Sequence, residues 1–269
     1  MIISHNLNSM NAHRQMKIST EGQGKSIEKL SSGYRINRAG DDAAGLAISE
    51  KMRAQISGLN QASRNAQDGI SLIQTAEGAL NETHSMLNRL KTLSVQSANS
   101  TYTGTDRTLI QKEVTELKSE IDRVASQTDF NGTKVLNAAS TLTMQVGSDT
   151  GNTISVSLVN MNTTSLGIGA TDLSTKAGAS TAIDTITTAI NNVSGHRATL
   201  GASQNRLEHT VKSVDNTSEN IQAAESRIRD TDMAKEMMEY TKNKILSSAA
   251  QSMLAQANSA PQGVLQLLQ

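Results

Sequence analysis

Residues able to do chemistry are sparse in this chain, and their spacing argues against a reactive site. The five histidines, His5, His13, His84, His196 and His209, are scattered. None opens the His-Glu-x-x-His pattern that sets two imidazoles and a general base on one helix face around zinc. Cysteine is absent, which excludes thiolate nucleophiles, disulfides and thiolate metal sites and fits any compartment. No glycine-rich phosphate loop follows a strand pattern. The adjacent Asp41 and Asp42 lack the spaced oxygen ligands of a calcium loop; before a helical segment, either reads better as an N-cap. Sequons such as those at Asn81, Asn131, Asn162 and Asn216 arise by chance in a Ser/Thr/Asn-rich chain, and Asn81 and Asn216 fall inside helical patterns. An enzyme is therefore disfavoured, and no cofactor or metal is expected.

Composition points the same way. One Phe, three Tyr and no Trp leave a core of Leu, Ile, Val, Met and Ala, which packs well between helices and makes poor walls for a ligand pocket. Lys plus Arg and Asp plus Glu both total 25, for a formal net charge of zero. No global field then draws nucleic acid or an anionic membrane, and copies of the chain do not repel one another. No run of about 18 uninterrupted apolar residues predicts a membrane-spanning helix. The N-terminus carries no Sec-type pattern of basic leader, apolar run and small-residue cleavage site. The single proline, Pro261, leaves the upstream helices unbroken.

The elements that must position these residues are long helices. From Ile183 to Ile228, steps of three and four residues land on Ile183, Ile186, Ile190, Val193, Leu200, Leu207, Val211, Val214, Ile221 and Ile228. This is a heptad seam along a rod of roughly 70 Å. Arg197, Gln204, Ser218 and Glu225 interrupt it, and polar residues at such positions are expected to fix helix register. From Leu46 to Asn99, one track takes Met52, Ile56, Leu59, Ala66, Ile70 and Ile73, and a neighbouring one Leu72, Ala76, Ala79, Met86, Leu90 and Leu93. So wide a face needs two partner helices. One is the Ile183 to Ile228 rod. The other follows Gly104, where Thr105 or Asp106 can cap a helix with seam Ile110, Val114, Leu117, Ile121 and Val124.

Past Phe130-Asn-Gly-Thr-Lys the period changes to two. Leu142, Met144 and Val146 alternate with polar residues, as do Ile154, Val156 and Leu158 after a Gly-Ser-Asp-Thr-Gly-Asn turn, which predicts a β-hairpin. Residues 160 to 182 read as a loose return. The expected fold class is mainly α: a long antiparallel helical bundle or coiled coil with a small β-hairpin region at the turn.

Both chain ends are apolar and poor in charge. Ile3, Leu7 and Met10 precede the first charged side chain, Arg14, and no charged side chain follows Lys244. Ile245, Leu246, Ala249, Ala250, Met253, Leu254 and Ala257 lie along one helical face, and Val264, Leu265, Leu267 and Leu268 follow Pro261. Each end is short of the apolar area that closes a two-helix core. Burial between copies of the chain is the expectation.

Several runs resemble bacterial flagellin: Ser31-Ser-Gly-Tyr-Arg-Ile-Asn-Arg-Ala-Gly-Asp-Asp-Ala-Ala-Gly-Leu, Asn65-Ala-Gln-Asp-Gly-Ile, Leu200-Gly-Ala-Ser-Gln-Asn-Arg-Leu-Glu, Ala223-Ala-Glu-Ser-Arg-Ile-Arg-Asp-Thr-Asp-Met-Ala and Met253-Leu-Ala-Gln-Ala-Asn. The resemblance implies a structural subunit that polymerises into the flagellar filament for motility. It implies that residues 1–40 and 231–269 form the inner polymerisation domain, with contacts through Ile3, Leu7, Met10, Ile245, Leu246, Ala249, Met253, Leu254, Val264, Leu265 and Leu268. Residues 41–130 and 180–230 would form the long-helix core, with Ile56, Leu59, Ile70, Ile73, Leu117, Ile121, Ile190, Leu200, Leu207, Val214 and Ile221 in the bundle. Residues 131–179 would replace larger outer domains, with Ser and Thr of the 140 to 180 loop as glycan carriers. Implied partners are further copies of itself, an export chaperone, the flagellar type III export apparatus, and cap and junction proteins, in an extracellular filament. No nucleic acid and no membrane insertion is implied. Arg89, Leu93, Gln96 and Glu113 match a patch through which some flagellins contact a vertebrate innate receptor, although Lys91 and Thr92 depart from its usual Arg-Glu pair. Alternative readings are a hook-filament junction protein or a secreted monomeric adhesin or receptor ligand.

Overall fold

A computed structural model describes residues 6–137 and 139–267, with side chains described through residue 259. The described chain runs α1 (Leu7–Ser32), α2 (Ala43–Ala98), α3 (Gly104–Gln127), β1 (Asp129–Phe130), β2 (Thr133–Lys134), β3 (Ser140–Gln145), β4 (Thr153–Leu158), α4 (Lys176–Arg229) and α5 (Met233–Leu267). It divides into two compact units, residues 1–54 with 220–269 and residues 55–219.

Local chemistry sets the helix ends. The Asn6 side chain accepts from the Ser9 amide at 3.1 Å to open α1. Gly33, at φ 77°, closes it by donating to the Lys29 carbonyl. Asp42 opens α2 by accepting from the Gly45 amide at 2.8 Å, while Asp41 takes the Asn37 and Arg38 amides of the preceding turn. For α3 the cap is Thr103, not Thr105 or Asp106. Gly104 is already helical, and Asp106 sits at the third helical position, where its carboxylate returns to the Thr103 amide in a reciprocal capping box.

In the unit of residues 55–219, α2, α3 and α4 share one aliphatic core. The α4 seam buries Ile186, Val193, Leu200, Leu207 and Val214, one per heptad, with Ile190 half-buried between them. Leu59, Ile73 and Ile121 are buried in the core from α2 and α3, and Ile56, Ile70 and Leu117 are half-buried. The polar interruptions do not act alike. Arg197 pairs with Glu77 at 3.3 Å and Ser218 donates to Asn60 at 3.0 Å, so both reach α2. Gln204 bonds Glu208 on its own helix, so of these three only Arg197 and Ser218 make the contact between helices that a register role requires.

β3 and β4 pair antiparallel with Leu142 opposite Val156 and Met144 opposite Ile154, and Ile154, Val156 and Leu158 are buried. The Phe130-Asn-Gly-Thr segment is a second, minimal hairpin. Asn131 and Gly132 both take positive φ, at 49° and 78°, the backbone that a two-residue hairpin turn matched to strand twist requires.

The return segment is not loose. Met161, Leu166, Ile168 and Leu173 are buried in the core. One face of α3 holds their backbone: Gln111 accepts from the Leu173 amide at 2.8 Å, Lys118 donates to the Gly169 and Thr171 carbonyls, and Asp122 accepts from the Thr163 amide and hydroxyl. Partial burial pushes the Lys118 ammonium below its ordinary range. Isolated apolar residues among Thr, Ser and Gly carry no period, so this docking is tertiary. Asp122→Ala strands the buried Thr163 donors and is expected to cost about 1–3 kcal/mol. Urea denaturation checks this, and an unchanged midpoint would show that the Asp122 contact adds nothing to what Gln111, Lys118 and the apolar residues supply.

Candidate assembly surface

In the unit of residues 1–54 and 220–269, α1 and α5 pair lengthwise. Their contacts run antiparallel: the Asn6 amide donates to the Ala257 carbonyl at 2.7 Å, Gly22 lies against Asn243, and Lys29 faces Glu236 at 3.7 Å. The seam between them is small and polar. Ser19, Ser26 and Ala250 are buried, and Ala12, Asn243, Ser247, Leu254 and Ala257 are half-buried. A Cβ at Gly22 would stand 3.0 Å from the Asn243 amide nitrogen, so glycine there admits the facing side chain at close range.

Most large apolar residues of the pair point away from this seam. Leu7 is 61 % exposed, Met10 62 %, Ile245 63 % and Met253 65 %, with Leu246 and Ala249 exposed beside them. The face expected from Ile245 to Ala257 is thus two faces: Ala250, Leu254 and Ala257 turn toward α1, and Ile245, Leu246, Ala249 and Met253 turn outward. Three- and four-residue spacing allows two adjacent tracks, and only the partner helix decides which one is covered. Ile3 and Leu268 lie outside the described residues, as do the side chains of Val264 and Leu265. Ile18, Ile27, Met233, Met237 and Met238 are also exposed. Sequence reading passed over them because charged neighbours such as Lys17, Glu28, Lys235 and Glu239 disguise their stripe.

A clasp closes the base of the pair. Tyr34 bridges antiparallel to Asp230, the Arg35 amide donates to the Arg229 carbonyl at 2.6 Å, and the Thr231 amide donates to the Gly33 carbonyl at 3.0 Å. The Arg229 guanidinium lies 4.8 Å from the Tyr34 ring centroid and donates to Glu50 on α2 at 2.6 Å. The hydrogen bond from Arg229 holds the Glu50 carboxyl below its usual range. Ile36 is buried beneath the clasp.

The expected receptor patch belongs to the other unit. Arg89 pairs with Glu113 at 2.7 Å between α2 and α3, and exposed Gln96 bonds the Tyr102 hydroxyl at 3.1 Å. Leu93 is 2 % exposed and part of the core, so it offers no surface to a receptor. Its track on α2 is the one that α3 and α4 cover.

The family model described as bacterial flagellin N-terminal helical region matches residues 3–141, and that described as bacterial flagellin C-terminal helical region matches residues 183–268. The chain belongs to the bacterial flagellin family. A flagellin of Halalkalibacterium halodurans is 56 % identical over the whole of both chains. One of Bacillus subtilis is 49 % identical, again over the whole of both. The crystal structure of Bacillus cereus flagellin covers 60 % of this chain and 94 % of its own at 34 % identity, with a TM-score of 0.52. A putative flagellar hook-associated protein from Vibrio parahaemolyticus shares the fold at 14 % identity and TM-score 0.60. Identity to flagellins over the full length makes this chain a structural, self-polymerising subunit of the flagellar filament, and favours neither the junction protein nor the monomeric adhesin. Flagellin is a structural family. No helix among the described residues is long and apolar enough to cross a membrane.

The clasp should respond to acid. A carboxyl with a depressed folded-state value stabilises above its ordinary range, and that stabilisation is lost as pH falls through the lowered value. Hydrogen exchange at the Arg35 and Thr231 amides, corrected for intrinsic rates, is therefore expected to accelerate as Glu50 protonates. Glu50→Gln should exchange faster at neutral pH and lose this acid dependence. Identical exchange profiles for the two proteins would remove Glu50 from the clasp.

Proposed function

We propose that the subunit polymerises through the outward faces of α1 and α5, with Leu7, Met10, Ile245, Leu246, Ala249 and Met253 buried against neighbouring copies. The carrying observation is the division of this helix pair: small and polar residues predominate in the seam, where Met16, Leu30, Tyr240 and Leu254 are only half-buried, and most large apolar ones are left in water. Ile3, Val264, Leu265 and Leu268 extend the same contact region in this reading, whereas Leu254 packs toward α1 and not toward a neighbouring copy. Residues 1–40 and 231–269 serve as the inner polymerisation domain, residues 41–130 and 180–230 as the core bundle, and residues 131–179 as a short region in place of larger outer domains.

Assembly requires that the subunit leave the cell. We assign it to export through the flagellar type III apparatus with a chaperone shielding the apolar ends, followed by incorporation between junction and cap proteins. Two features support this route: cysteine is absent, and the exposed apolar side chains need cover before assembly.

Burying one Leu, Ile or Met side chain contributes about 1.5–3 kcal/mol, so a single Asp in its place should slow subunit addition by about tenfold or more. Leu7→Asp and Ile245→Asp are expected to do so in seeded polymerisation followed by light scattering and electron microscopy. The thermal unfolding of the unit of residues 55–219 should be unchanged. Removal of residues 245–269 should abolish elongation. Filaments growing at the normal rate from either Asp variant would overturn the assignment of these faces.

A further inference from the structure

The chain has neither cysteine nor tryptophan, so its thioethers are its most readily oxidised side chains. The described methionines sort sharply by place. Met161 is buried, and Met86 and Met144 pack half-buried against the core of residues 55–219. Met16 and Met52 are half-buried as well. Met10, Met233, Met237, Met238 and Met253 are exposed, and all five lie on α1 or α5. Met233 and Met237 stand one helical turn apart, with Met238 beside them at 67 % exposure. Leucine would supply similar apolar area at these positions. Methionine adds a flexible, polarisable group whose polarity one oxygen atom reverses.

We propose that Met233, Met237 and Met238, together with Met10 and Met253, form an oxidation site at which hydroperoxides block polymerisation of the free subunit. The sulfur lone pair attacks one peroxide oxygen and the O–O bond breaks. That oxygen remains as the sulfoxide, its proton passes to the departing oxygen, which leaves as water from hydrogen peroxide or as the alcohol from an organic hydroperoxide, and the sulfur is oxidised by two electrons. The sulfoxide is a strong hydrogen-bond acceptor, and burying it in an apolar contact without a donor is costly. Reduction by thiol-dependent sulfoxide reductases, one for each epimer, restores the apolar side chain. The inference rests on the assembly faces proposed above, which hold Met10 and Met253, and extends the face of α5 to the exposed Met233, Met237 and Met238. It adds a polarity of its own: free subunits are sensitive, and subunits already covered in a filament are protected.

The test treats the full-length subunit and preformed filaments with hydrogen peroxide, maps each methionine by mass spectrometry, and measures seeded elongation. In the free subunit the five exposed methionines should oxidise ahead of Met144 and Met161, and elongation should fall by about tenfold or more. Treatment with both sulfoxide reductases should restore it. A variant with Met10→Leu, Met233→Leu, Met237→Leu, Met238→Leu and Met253→Leu at all five exposed positions should keep most of its elongation rate after peroxide. Should that variant assemble poorly before oxidation, the reductase arm on the natural sequence decides. Undiminished elongation after oxidation, or a loss that reduction does not reverse, overturns the proposal. Protection of these methionines in filaments combined with undiminished elongation removes the oxidation site and leaves the assembly faces standing. Equal oxidation in filaments and free subunits sinks those faces too.

Discussion

The seam between α1 and α5 is made mostly of small and polar residues, so the pair closes little apolar core of its own. Ser19, Ser26, Gly22 and Ala250 let the two helices approach closely, but they remove little apolar surface from water. The large side chains that would normally fill such a seam, Ile18, Ile27, Ile245 and Met253 among them, are turned outward. A subunit built this way satisfies its backbone within each helix and leaves these large side chains uncovered. On the proposal made above, polymerisation completes a core that the helix pair does not close.

The unit of residues 55–219 follows the opposite rule. Its heptad positions on α4 are apolar at every turn of the repeat that reaches the interior, and the buried seam needs nothing from outside. Polar interruptions in this seam are tolerated where they find partners. Arg197 and Ser218 reach across to Glu77 and Asn60 on α2, so they oppose sliding of one helix along the other. Gln204 makes its bond within its own turn and constrains nothing beyond it. The same heptad position thus yields two mechanical roles, depending on which side chain stands opposite.

At the base of the terminal pair, Arg229 combines a stacked contact with Tyr34 and a hydrogen bond to Glu50. Its side chain is only 14 % exposed, so these interactions are less screened than those of a surface pair. Together with the short backbone ladder they hold the α1–α2 connector against the α4–α5 connector. The entry and exit of the terminal helices are therefore set by one residue with two different partners.

The helices, their approximate ends, the β3–β4 hairpin and the apolar ends were legible in the sequence because each rests on local periodicity or capping. Ile186, Val193, Leu200, Leu207 and Val214 declare their burial by a seven-residue repeat, and Leu142, Met144, Ile154 and Val156 by alternation. The family was legible in continuous motifs. Tertiary structure alone decided what depends on a facing element. It turned Ala250 inward and Ile245 outward, since both tracks satisfy the same spacing. It buried Leu93 within a presumed surface patch, docked Ile168 and Leu173 through Gln111, Lys118 and Asp122, and joined Arg229 to Glu50 and Tyr34 across most of the chain. A periodic pattern states that a residue has a buried side. Only the packed partner states which residue covers it, because that choice is made by contacts between segments far apart in sequence.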